Sequence, residues 1–225
     1  MCGRFVLYSS LDDIVRAFDV RLVRAQWQPR YNIAPTQPVL VVRQEGGAKV
    51  LDEMMWGLIP YWAQDRPSGG GIINARAETL HRKPSFRRPF ASQRCLVIAD
   101  GFYEWRKSDH VRIPFFFYLK RRPFGFAGIY DIWHSPEGDM LHTCAIVTTN
   151  ANALIRPLHD RMPVILSKEA ETYWLDPGTP MVKLIELLQA TPAEEMEGYE
   201  VSPKVNSFTW DTPECILPLS RTGIL

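Results

Sequence analysis

Nowhere do the 225 residues run apolar for the ~20 positions a membrane-crossing helix needs, and the first residues lack the apolar core of a secretion signal. Cysteine is scarce: Cys2, Cys95, Cys144 and Cys215 lie far apart and form no CxxC pair. Such spacing argues against a disulfide framework or a structural zinc site. A reducing cytoplasm is therefore expected, with no membrane contact, no metal and no cofactor. Internal repeats, low-complexity tracts and dividing linkers are also lacking, so one domain over 1–225 is expected. Net charge is nearly absent at +1, yet residues 1–125 carry 20 Lys/Arg against 11 Asp/Glu, and residues 126–225 carry 6 against 14. That asymmetry permits one basic face on a near-neutral molecule.

What is present is a chain rich in strand signals. SLDDIVRAF reads as a short helix started by Ser10, with Asp13 as its capping-box partner. PVLVVR (38–43) and VLDEMMWGLI (50–59) read as strands joined through the hairpin signal QEGGAK. DRPSGGG (65–71) predicts a flexible loop, and RCLVIAD (94–100) and GFYEWRK (101–107) meet at a turn dipeptide, Asp100-Gly101. PFFFYL, FGFAGIYD and LHTCAIVTT continue the strands. Helices follow after Ser167 and over TPMVKLIELLQA, the latter with Thr179 as N-cap. Strands outnumber helices, predicting an α+β fold with a barrel-like mixed or antiparallel sheet flanked by helices.

Four stretches set polar side chains among apolar or turn residues. They are MCGRF (1–5), IINARAETLHRKPSFRRPF (72–90), ADGFYEWRK (99–107) and LHDRMPVIL (158–166). Taken singly, each has a plain structural explanation: a loop asparagine at 74, a strand carboxylate at 104, a loop histidine at 159, core tryptophans in WGLIPYW. Taken together they fit one chemistry. Removal of Met1 would leave Cys2 with an α-amine and a thiol, whose ordinary pKa values of ~7.7–8.0 and ~8.5 leave both usable near neutrality. A 1,2-aminothiol condenses with an aldehyde through a Schiff base to a five-membered thiazolidine. A carboxylate in an apolar setting can carry the protons, as Glu104 would. Asn74 supplies a positioning amide, His159 a second acid/base, and the arginines suit flanking phosphates. The ring-opened sugar of an abasic site in DNA is such an aldehyde, and tryptophans would stack on its neighbouring bases.

The stretches MCGRF, RYNIAPTQ (30–37), MWGLIPYWA (55–63), INARAET (73–79), ADGFYEW (99–105) and HDRMPVIL (159–166) together resemble the SRAP (SOS response-associated peptidase) family. The resemblance implies covalent capture of abasic sites in single-stranded DNA by Cys2 after loss of Met1, shielding the lesion. It implies Asn74 as positioner of amine and sugar, Glu104 as general acid/base, and His159 as assistant in Schiff-base formation and reversal. Arg76 and Arg161, with Arg4 beside them, would contact phosphates, and Trp56, Trp62 and Trp105 would pack on nucleotides. It further implies a thiol autopeptidase activity releasing the first residue, a monomer, and a cytoplasmic protein that joins the nucleoid when bound to DNA. A retained Met1 would make the nitrogen of Cys2 an amide and forbid the ring. Two rival readings remain. One is a non-catalytic module binding single-stranded or modified nucleic acid. The other is an N-terminal-nucleophile amidohydrolase, a class that also begins Met-Cys-Gly.

Overall fold

The computed structural model describes residues 2–108 and 111–219; Met1 and the expectation attached to its removal lie outside them. The chain opens with strand β1 (Phe5–Leu7) and helix α1 (Leu11–Phe18). Ser10 caps α1 as its sequence predicts, accepting from the backbone N–H of Asp13 at 3.1 Å. After β2 (Leu22–Val23) and β3 (Arg30–Ile33), the strands β4 (Pro38–Glu45) and β5 (Ala48–Trp56) form the expected hairpin. Its tight loop puts Gly46 and Gly47 at φ 56° and 83°, a conformation side chains resist.

The segment 65–71 is a loop without helix or strand, as its sequence predicts, and it is tied down at its end. Gly57 packs against the 70–71 backbone, Leu58 and Ile72 exchange backbone hydrogen bonds at 2.9 Å, and a side chain on Gly57 would strike the Gly70 carbonyl while one on Gly71 would strike the Gly57 carbonyl. This close approach fixes the start of β6 (Asn74–Arg76), and α2 (Pro84–Ser92) follows. Next come β7 (Arg94–Ala99), β8 (Gly101–Ser108), β9 (Val111–Leu119), β10 (Phe124–His134), β11 (Met140–Asn150) and β12 (Arg161–Pro163). The chain ends with α3 (Lys168–Leu175), α4 (Met181–Glu186) and β13 (Met196–Glu200). Thr179 does not cap α4: that position falls to Pro180, while the Thr179 hydroxyl turns back to Asp176.

Strands β4, β5, β11, β10 and β7 close into a five-stranded barrel, antiparallel except where β5 runs parallel to β11. A second sheet orders its strands β13-β9-β8-β1-β3. The fold is thus α+β around a closed barrel. Asp100-Gly101 is not a hairpin turn, because β7 belongs to the barrel and β8 to the second sheet. Buried Asp100 instead anchors the end of β1, accepting from the N–H groups of Tyr8 and Ser9 at 2.6 Å.

Strand alternation gives the second sheet two different faces. Phe5, Phe102, Phe115 and Phe117 pack inward on the barrel core, where Phe126 meets Phe5 edge-on at 5.8 Å. Val6, Tyr103 and Phe116 face outward and are covered by Val201, Val205 and Cys215 of the C-terminal segment. Among the described residues no helix is long and apolar enough to cross a membrane.

Candidate functional site

The N-terminal motif, β6 and β8 converge at one end of the core. Cys2 is fully buried, and the side-chain amide of Asn74 donates to its carbonyl oxygen at 2.8 Å. β6 holds Asn74 there because it pairs parallel to β11, with Asn74 opposite Ile146 and Ala75 opposite Val147. The side-chain oxygen Oδ1 of Asn74 is buried without a hydrogen-bond partner.

Alternation along β8 turns Phe102 and Glu104 toward the barrel and Tyr103 and Trp105 away from it. Glu104 is 3% exposed, and burial pushes its carboxyl above the usual carboxylate range. Burial also drives the Cys2 thiol far up, and the charge of Glu104 adds to that rise, which puts the two groups in electrostatic reach. The stretch around His159 belongs to the same field, since the charge of Asp160 also raises Glu104. The His159 ring is partly open, and its Nδ1 accepts from the backbone N–H of Arg161 at 2.9 Å and lies 2.8 Å from Asp160. Cys2 and Asn74 are thus in contact, with Glu104 in electrostatic reach of Cys2 and Asp160, the neighbour of His159, in electrostatic reach of Glu104.

The residues predicted to grip DNA divide. Arg76 and Trp62 are exposed, the latter at 54%, and both can meet a ligand. Trp56 cannot: it is fully buried, stacks edge-on to Phe5 at 5.1 Å, and donates through Nε1 to the carbonyl of Ile73 at 2.9 Å. It braces Phe5 of β1 and Ile73, the residue before Asn74. Arg161 is also withdrawn, because its terminal nitrogens are taken up by the protein. Nη1 donates to Glu78 at 2.7 Å and Asn150 at 2.8 Å, and Nη2 to Glu78 at 2.9 Å and the Thr148 carbonyl at 2.6 Å. Trp105 lies on the outer face, donating to Asn206 at 2.6 Å. Arg4 is half-buried, with Nη1 held by Asn32 at 2.7 Å and the Val205 carbonyl at 2.9 Å.

Sequence reasoning did not single out Glu78, Asn150 or Asn32. Glu78 and Asn32 do lie inside the quoted motifs INARAET and RYNIAPTQ, and that was the available signal. The guanidinium of Arg88 lies 4.3 Å over the ring of exposed Tyr61, a pairing no sequence motif announces. Among the described residues no group of three or more His, Cys, Asp or Glu is placed to hold a metal ion.

The SOS response associated peptidase (SRAP) family matches residues 1–208. A Bacillus subtilis protein named abasic site processing protein YoqW is 48% identical over 221 residues, spanning 96% of this chain and 99% of that one. The chicken (Gallus gallus) abasic site processing protein HMCES is 35% identical over 235 residues, covering 88% of this chain and 68% of its own. Among solved structures, a Bacteroides thetaiotaomicron protein superposes with a TM-score of 0.86 at 26% identity, over 97% of this chain and 100% of its own. A phage-related protein of Bordetella bronchiseptica gives 0.73 at 32% identity, over 89% and 94%. Matched by this family model over residues 1–208 and 48% identical to a relative across nearly its whole length, the chain belongs to the SRAP family.

Proposed function

We propose that this protein processes abasic sites in single-stranded DNA by forming a thiazolidine through Cys2 once Met1 is gone. The observation that carries this reading is the meeting of the Asn74 amide, 2.8 Å from the Cys2 carbonyl, with a buried carboxyl whose charge reaches the Cys2 thiol. The names of its relatives, abasic site processing proteins from Bacillus subtilis and from chicken, supply the substrate class.

The chemistry balances with these residues. The Cys2 amine adds to the aldehyde carbon of the open sugar, giving a carbinolamine. Glu104, kept protonated longer by burial, donates its proton to the departing hydroxyl, so water leaves and an iminium forms. The Cys2 sulfur then attacks the iminium carbon while its proton returns to the Glu104 carboxylate. The product is a neutral ring, with one water released and Glu104 restored. A thiol held as firmly protonated as Cys2 needs such a base at the moment of ring closure. Asn74 fixes the Cys2 backbone so that amine and sulfur face one carbon, and His159 serves as a second proton carrier for formation and reversal. The exposed Arg76 and Trp62 are the contacts for phosphate and base, while Arg4, Arg161, Trp56 and Trp105 hold the frame. Autoproteolytic release of Met1 by the same thiol, action as a monomer, and a cytoplasmic protein that joins the nucleoid on DNA belong to this reading.

The test mixes protein with an oligonucleotide bearing one abasic site, followed by boiling in detergent and electrophoresis. A heat-stable shifted band that vanishes in Cys2→Ala supports covalent capture. DNA binding without any such band, by protein verified to lack Met1, would leave only a non-covalent binding module.

A further inference from the structure

The C-terminal segment grips the other side of the strand that carries Cys2. Residues 202–219 cross the outer face of the second sheet, with Val205 and Cys215 buried in it. The link between this segment and the N-terminus is Asn32 on β3, a fully buried amide. Its Oδ1 accepts from Arg4 Nη1 at 2.7 Å, and its Nδ2 points at the carbonyls of Trp210 at 2.7 Å, Ser207 at 2.9 Å and Val205 at 3.2 Å. Arg4 Nη1 also reaches the Val205 carbonyl at 2.9 Å, so three elements share one hydrogen-bond node. Asp211 pins the node from behind, accepting from the N–H of Asn32 at 2.9 Å and from Arg30 Nε at 2.7 Å.

A buried amide that spends both ends this way fixes geometry, because every lost bond there would leave an unsatisfied group. Arg4 stands two residues from Cys2, and the Cys2 thiol itself lies 3.9 Å from the Arg4 carbonyl. Restraining Arg4 therefore restrains the backbone that aims the reagent. Asn74 holds that backbone from the barrel side and Asn32 from the outer side.

We propose that Asn32 is a positioning residue for the cross-linking reaction, holding Arg4, and through it Cys2, against the C-terminal segment 203–216. The inference rests on the reading of Cys2 as the reactive group, and it extends the site to a part of the chain far from it in sequence. Its consequence is kinetic. Loosening the node lets Cys2 wander from the attack geometry, so bond formation slows while DNA recognition persists.

The experiment is single-turnover cross-linking to an abasic oligonucleotide across DNA concentrations, yielding a maximal rate and a half-saturating concentration. For Asn32→Ala the maximal rate is expected to fall about tenfold or more, with half-saturation changed less than about threefold. Asp211→Asn, at a partly exposed strap position whose carboxylate accepts from the Asn32 N–H, keeps the test open should the buried variant fail to fold; it is expected to slow the maximal rate about threefold. Equal shifts in rate and half-saturation, or a maximal rate unchanged in both variants, would overturn the positioning role. Failure of the wild-type protein to cross-link at all would instead overturn the reading of Cys2.

Discussion

A thiol buried as deeply as that of Cys2 is inert until a base takes its proton, and the charge of Glu104 lies within reach of it. Burial that suits Glu104 to proton transfer also costs stability. Between its ordinary value of 4.5 and its higher value in the folded chain, the folded protein holds a proton that the unfolded chain has released. Stability therefore falls as pH rises through that window. Glu104→Gln is expected to raise stability by ~0.5–2 kcal/mol near neutral pH, read as a higher unfolding midpoint, while slowing cross-linking at least about tenfold. It should also flatten the alkaline limb of the pH–rate profile; a variant less stable and equally fast would contradict the assignment. Cys2, Asn74, Glu104 and His159 were candidates only as a set and through the family resemblance of their motifs, since each taken singly has a plain structural explanation. The partners of Arg161 and Arg4 could not be named from sequence, since Glu78 lies 83 residues from Arg161 and Asn32 lies 28 from Arg4. Sequence displays a charge; only packing decides whether it faces solvent or a buried acceptor.

At the scale of elements, β6 is three residues long, and its position depends on what braces it. Trp56 ties it from the barrel, and the Glu78–Arg161 pair ties the turn after it to β11 and β12. Arg161→Ala leaves the buried Thr148 carbonyl without its donor and is expected to destabilise the protein by about 1–3 kcal/mol. Glu78→Gln, at a side chain 47% exposed, should cost less than about 1 kcal/mol. Arg161 holds the Glu78 carboxyl below its ordinary value, so the contribution of this pair is present above pH 4.5 and lost as pH falls through the lowered value. Denaturant melts of both variants at pH 7 check the ranking; equal losses would place Arg161 outside the frame. Helices with side-chain caps were legible, as Ser10 and Ser167 show, because a cap and its helix are neighbours. The junction at Asp100-Gly101 was not, because a turn dipeptide carries no record of which sheet comes next. Parallel closure of β5 on β11 was equally hidden, depending on residues far apart in the chain.

For the whole molecule, the charge asymmetry of the sequence bears on how DNA would be held under the proposed function. Arg76 is the exposed arginine of INARAET, two residues beyond Asn74. Arg76→Ala is expected to weaken binding of an unmodified single strand and to lower the salt slope by ~0.7, the release expected for one phosphate. An unchanged slope in a salt titration would remove Arg76 from the phosphate contacts. The α+β class and the barrel-like sheet followed from the strand-rich pattern, whereas the strap of residues 202–219 gave almost no signal. Its short turns bury few side chains and act mainly through backbone carbonyls, which no sequence pattern announces. The central claim, ring formation at Cys2, is tested most directly by intact mass of the boiled protein–oligonucleotide adduct, without any reductant. The expected mass is protein lacking Met1 plus oligonucleotide minus one water, with the modified peptide beginning at Cys2. An adduct that retains Met1, or one that survives boiling only after reduction, would contradict it.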